Sequence, residues 1–110
     1  MSAHEAFRVM LRMQATPGQE AEFERVWAAG AEIIAREPAS RGQWLARSAE
    51  EGGVYYIVSD WTDELAFRTY ERSARHRQHR SRLHPYRASG SMTTMNVLRH
   101  MVAAPGAGQR

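Results

Sequence analysis

The sequence predicts an α+β domain: one antiparallel sheet with helices on one face, its elements in the order β-α-β-β-α-β. Three observations carry this. Residues 7–15 alternate with period two, so Phe7, Val9, Leu11 and Met13 face one way while Arg8, Arg12 and Gln14 face the other. Residues 19–37 change to three- and four-residue spacing, with Phe23, Val26, Trp27, Gly30, Ile33 and Ile34 in one apolar stripe. Residues 54–61 (VYYIVSDW) are β-branched and aromatic nearly throughout, as a well-covered strand requires.

The remaining elements follow in order. Thr16-Pro17-Gly18 is turn chemistry and ends the first strand. Glu20, Glu22 and Glu24 sit in the early turns of the first helix, where the backbone dipole favours negative charge, and Pro38 is its predicted stop. Residues 42–48 form a second strand with Trp44 and Ala46 on one face and Gln43, Leu45 and Arg47 on the other; Glu50-Glu51-Gly52-Gly53 is the hairpin signal behind it. Thr62 is the expected cap of the next helix, with Asp63 and Glu64 in its first turn and Leu65, Ala66, Phe67 and Tyr70 inward. Ser73 is expected to break that helix and cap a second piece running to His84, which Pro85 ends. Residues 88–91 read as a loop and residues 92–101 as the last strand. This is the ferredoxin-like arrangement. Residues 1–6 are expected to be flexible, residues 7–102 to form the domain, and residues 103–110, rich in small residues, to be a disordered tail.

Composition narrows the chemistry. At 110 residues the chain is one domain with a modest core, so a partner subunit would help it bury apolar surface. Cysteine is absent, which excludes disulfides, thiolate nucleophiles and iron–sulfur clusters; lysine is absent too, which excludes Schiff-base chemistry and a P-loop lysine. No run is long enough to span a membrane and no leader pattern opens the chain, so the cytoplasm is the expected location. Charge is uneven: residues 68–87 hold seven arginines and one acid, Glu71, so this stretch carries +6 and the remainder −3. Such a face attracts anions, although a solvated helix face has the same composition.

The stretch Tyr55-Tyr56-Ile57-Val58-Ser59-Asp60-Trp61-Thr62-Asp63-Glu64, followed by Ala66-Phe67, Ser73 and His76, resembles the antibiotic-biosynthesis monooxygenase family. In that family a strand ends in tryptophan, an acidic helix start follows, and a histidine comes about a dozen residues later. The resemblance covers roughly residues 7–101 and implies a dimeric α/β barrel, a homodimer whose two sheets pack face to face. It also implies cofactor-independent oxygenation of a polycyclic aromatic polyketide, in which a deprotonated phenol or anthrone itself reduces dioxygen and the protein orients it and excludes water. The chain's lack of nucleotide-binding glycine motifs agrees with a reaction that needs no cofactor. Trp61 matches the family tryptophan; the asparagine some members carry falls near Ile57, and the only asparagine is Asn96.

On this resemblance Trp61, His76 and Arg80 are the candidate catalytic residues. Trp61 would orient substrate and oxygen through its indole N–H and ring, His76 would assist deprotonation, and Arg80 would stabilise the phenolate. His76, His79 and Arg80 share a helix face by their spacing. Trp44, Tyr56, Tyr70, His79 and Asn96 are the candidate substrate-binding residues, each with a structural alternative: packed core or interface for the aromatics, solvated helix for the histidine. No metal site is expected, because His76-x2-His79 lacks a nearby carboxylate or cysteine in ligand spacing. Two other functions fit the same residues. A polyketide cyclase would use His76 or Arg80 in an aldol step, a reading that the missing asparagine favours. A binding module would use the basic helix from Arg75 to Arg82; nucleic acid is not the expected partner, since that helix lacks interleaved aromatics for base stacking.

Overall fold

A computed structural model describes residues 6–105; the expected flexible start up to residue 5 and the end of the expected tail from residue 106 lie outside the described residues. The elements are β1 (Ala6–Ala15), α1 (Glu20–Ile34), β2 (Ser40–Arg47), β3 (Val54–Trp61), α2 (Glu64–Glu71), α3 (Ala74–Leu83), a 3-10 turn (His84–Tyr86) and β4 (Arg87–Val97). The four strands make one antiparallel sheet in the order β2-β3-β1-β4, and the fold is ferredoxin-like α+β as expected.

Cross-strand register assigns every strand residue to a face. Phe7, Val9, Leu11 and Met13 stand opposite Trp61, Ser59, Ile57 and Tyr55 on β3, and opposite Asn96, Thr94, Met92 and Gly90 on β4. This is the face that the helices cover. Its core forms two clusters. One joins Phe7, Val9, Ile34, Trp61, Phe67 and Tyr70; the other joins Met13, Ala15, Phe23, Tyr55, Ile57 and Leu83; Leu11 packs against both. Phe23 is fully buried, worth about 2 kcal/mol of apolar transfer. Its ring lies 4.8 Å from that of Tyr55, tilted by 32°, and the Tyr55 hydroxyl donates to Glu24 on the same helix, so α1 is anchored on β3 by both ring packing and a charge-assisted bond.

Several expected boundaries are corrected. α1 stops four residues before Pro38, because the N–H groups of Arg36 and Glu37 bond the carbonyls of Ile33 and Ile34 and tighten the chain into a turn. Ile33 lies outside the buried stripe. The cap of α2 is Asp63, not Thr62: its carboxylate accepts from the N–H of Ala66 at 2.8 Å. Leu65 is exposed, since Phe67 and Tyr70 define the inward face. Ser73 does cap α3, accepting from the N–H of His76. Ala6 belongs to β1, where it pairs with Val97. The largest difference is β4, which begins at Arg87 and ends at Val97. The loop expected at residues 88–91 is strand, because Ser89, Gly90 and Ser91 pair with Gln14, Met13 and Arg12 while Ala88 lies at a register shift, and the ladder to β1 overrides their turn preference. Beyond Val97 the described part of β1 offers no further partner, and residues 98–105 form no helix or strand.

Candidate active site

Between the two core clusters lies a cavity of about 310 Å³, within the ~300–1,000 Å³ range of small-molecule sites. Its walls take Val9, Phe67 and Tyr70 from one cluster and Met13, Ile57 and Leu83 from the other. The exposed lining residues, Arg80, Gly90, Ser91 and Met92, belong to α3 and β4, so the mouth opens between these two elements. Among the described residues no group of three His, Cys, Asp or Glu side chains is placed to hold a metal ion.

One side of the cavity is a run of aromatic rings. Tyr70 stacks on Trp61 with centroids 4.9 Å apart and planes at 26°; Phe67 packs on the same indole at 5.7 Å; His76 meets Tyr70 edge-on at 5.2 Å. Trp61 is buried, and its indole N–H donates to Ser59 Oγ at 3.0 Å. The N–H expected to be free for a ligand is therefore occupied. A hydroxyl accepting from the indole keeps its own proton to donate, which turns Ser59 into the polar group the cavity wall offers.

His76 and His79 both line the cavity and both are half-buried. Burial holds the His76 imidazolium below its ordinary value, Arg80 adding to this and Glu71 opposing it. His79 is pushed down to about 4 by burial, with His76 and Arg82 in the same direction. Both rings are thus neutral at pH 7, and a neutral imidazole is able to accept a proton. Tyr70 is pushed up to about 12, first by burial and then by Glu37, with Arg75 opposing, so it stays a phenol. Its hydroxyl and His79 Nδ1 are buried without a hydrogen-bond partner among the described residues. Both residues also border a second cavity of about 20 Å³, room for a single water. Glu71 lines the main cavity too, but Arg68 engages it at 3.2 Å.

Of the expected site residues, the structure gathers Trp61, Tyr70, His76, His79 and Arg80 around one cavity. Trp44 and Tyr56 are not there. Trp44 stands opposite Val58 and Tyr56 opposite Arg12, in register positions that place both on the outer face of the sheet. Trp44 is about half exposed, and the Arg8 guanidinium lies 5.5 Å from its ring while gripping Asp60 through two bonds of 2.7 and 2.8 Å. Asn96, expected to bind substrate, stands on the helix side but is exposed and outside the cavity lining, since it sits opposite Phe7 near the end of β4. Sequence reasoning missed Ser59, Trp27 and Gln43 as cavity residues. Ser59 was legible from period two, being two residues before Trp61 on the same face. Gln43 was not, because its amide is positioned by a long-range bond to the carbonyl of Ala31.

A ferredoxin-like sheet, a layer of three helices on one face and an apolar cavity with an imidazole and a guanidinium at its edge define the class of small α+β domain to which this protein belongs. Residues 6–82 match the family described as Antibiotic biosynthesis monooxygenase, and the chain belongs to that family. The structure is similar to that of SnoaB, a cofactor-independent oxygenase from Streptomyces nogalater, with a TM-score of 0.78 and 24% identity over 91% of this chain and 99% of that one. It is similar as well to a conserved protein from Methanosarcina mazei, at a TM-score of 0.78 and 17% identity over 86% of this chain and 95% of the other. No curated protein matches the sequence significantly.

Proposed function

We propose that this protein is a cofactor-independent monooxygenase of a polycyclic aromatic polyketide, and that the cavity between the sheet and α2–α3 is its active site. The observation that carries this reading is the Trp61–Tyr70 stack with His76 edge-on beside it and Arg80 at the mouth. A flat electron-rich substrate enters between α3 and β4 and lies against this aromatic wall. His76, neutral at pH 7, takes the phenol or enol proton, and Arg80 stabilises the resulting oxyanion. Ser59 Oγ, held by the Trp61 indole, donates to a substrate oxygen. The carbanion form of the substrate reduces dioxygen; for an anthrone methylene, one oxygen atom ends in the new carbonyl and the other leaves as water. Apolar walls from both core clusters keep bulk water from the anion.

A homodimer completes the reading. The outer face of the sheet carries Met10, Trp44, Tyr56, Val58 and Met95, and among the described residues no helix lies over it, so a second sheet packed face to face is its natural cover.

Oxygen uptake with a panel of anthrones and naphthacenone-like phenols tests the activity. Uptake with one atom of labelled oxygen in the product, and a kcat lowered about 100-fold in His76→Asn, is the expected result. The second reading, a polyketide cyclase, is favoured by Ile57, which lines the cavity where some family members carry asparagine. Product from a poly-β-ketone without oxygen, and no uptake across the panel, would establish the cyclase instead.

A further inference from the structure

Outside the main cavity, an open groove of about 270 Å³ is lined by Arg77, Arg80, Ser81, His84 and Arg87. It adjoins the cavity, because Arg80 and Arg87 border both. The groove has an unbalanced charge. Among the described residues, carboxylates pair with Arg8, Arg12, Arg25, Arg47, Arg68 and Arg75, and none is within ion-pair distance of Arg77, Arg80 or Arg87. Favourable interaction with the carbonyl end of α3 accounts for Arg80 and Arg82 in its last turn, but not for Arg77 a turn earlier or for Arg87 on β4. The Arg87 guanidinium lies over Gly90: a Cβ at that position would come within 3.3 Å of Nη1. The missing side chain on β4 leaves room for a cation at the rim of an apolar cavity.

We infer that this groove is an anion subsite, which takes a carboxylate or phosphate arm of the aromatic ligand whose rings occupy the main cavity. The inference rests on the cavity's being an aromatic-ligand site. It adds that the ligand is amphipathic: flat and apolar at one end, an oxyanion at the other. Guanidinium forks match both oxyanions geometrically. Arg77 commits one N–H to the carbonyl of Arg72 and keeps the rest of its donors. Arg80, at the boundary, serves the ring oxygen, while Arg77, Arg87 and the His84 imidazole serve the arm.

Binding without turnover tests this. Anthracene-2-carboxylate, its neutral carboxamide and anthracen-2-yl phosphate are titrated against the intact protein by tryptophan fluorescence, in the wild type and in an Arg77→Gln/His84→Gln variant, whose two positions line the groove and not the cavity. The acid is expected to bind at least 10-fold more tightly than the amide in 50 mM salt. The gap should narrow both in 500 mM salt and in the variant, which still binds the amide and so is still folded. A phosphate that outbinds the carboxylate assigns the arm as phosphoryl; the reverse assigns it as carboxyl. Equal affinity for acid and amide overturns the subsite and leaves the aromatic cavity standing. An acid preference unchanged in the variant overturns the groove as its source. Failure of every probe to bind overturns the aromatic reading and this inference with it.

Discussion

The imidazole of His79 on α3 rests directly on Gly30 of α1: a Cβ built on that glycine would lie 2.0 Å from Nδ1 and 2.1 Å from Cε1. The absence of one methyl group lets the two helices meet and turns the histidine edge into the helix layer beside the cavity. Gly30 is in the middle of a 15-residue helix, where alanine would ordinarily be better by about 1 kcal/mol. Overlap with a whole ring edge reverses this. Gly30→Ala is expected to destabilise the protein by about 1–2 kcal/mol, as overpacking does. In a His79→Ala background the same change should be neutral or stabilising. Urea unfolding of the four proteins of this cycle decides the matter; a cost that persists without His79 would refute the contact as its cause.

Histidine burial makes stability depend on pH. Both His76 and His79 have lowered values in the folded protein, His79 to about 4. Above about pH 7.5 they are neutral folded and unfolded, and contribute no pH dependence. As pH falls from about 6.5 toward 4, the unfolded chain binds protons that the folded chain refuses, so stability drops. For half-buried His79 the loss is at most about 3 kcal/mol. Denaturation midpoints at pH 7.5 and 4.5 should diverge less in His79→Asn than in the wild type, and identical slopes would remove His79 from the account.

Ser59 and Trp61 form the second pair to test. Ser59→Ala strands a buried indole N–H, at a cost of about 1–2 kcal/mol. It should also shift the indole N–H resonance of Trp61. If Ser59 donates to substrate as proposed, kcat falls more than affinity for the ground state. An unchanged resonance would mean that the bond does not form in solution.

Trp44 tests the outer face. It belongs to neither core cluster, so Trp44→Glu should leave the subunit folded. A carboxylate within a sheet–sheet interface is nevertheless costly to desolvate. Sedimentation should show a dimer in the wild type and a monomer in the variant. Equal masses for the two would locate any association elsewhere.

The local periodicities in this chain were enough to read the element order, the two faces of β1 and all of β3, because alternation and helical spacing are properties of adjacent residues. Trp61, Phe67 and Tyr70, and the shared helix face of His76, His79 and Arg80, came together at one cavity, whereas Leu65, marked inward on α2, is exposed. What neighbours in sequence could not decide was pairing between distant segments. The strand at residues 88–91 exists because β1 supplies its hydrogen-bond partners, not because Ala88, Ser89, Gly90 and Ser91 prefer extended backbone. Trp44 and Tyr56 were aromatic enough to suggest a pocket, and only the register against β3 and β1 sent them to the far face. Asn96, expected in the pocket, stands on the helix side but too close to the strand's end to reach the cavity. The bond from Trp61 to Ser59, the fit of His79 on Gly30 and the line of unpaired arginines from α3 to Arg87 depend on distances between elements. Those distances are set by how two helices and a sheet pack around a shared core, and that information is not carried by any single segment.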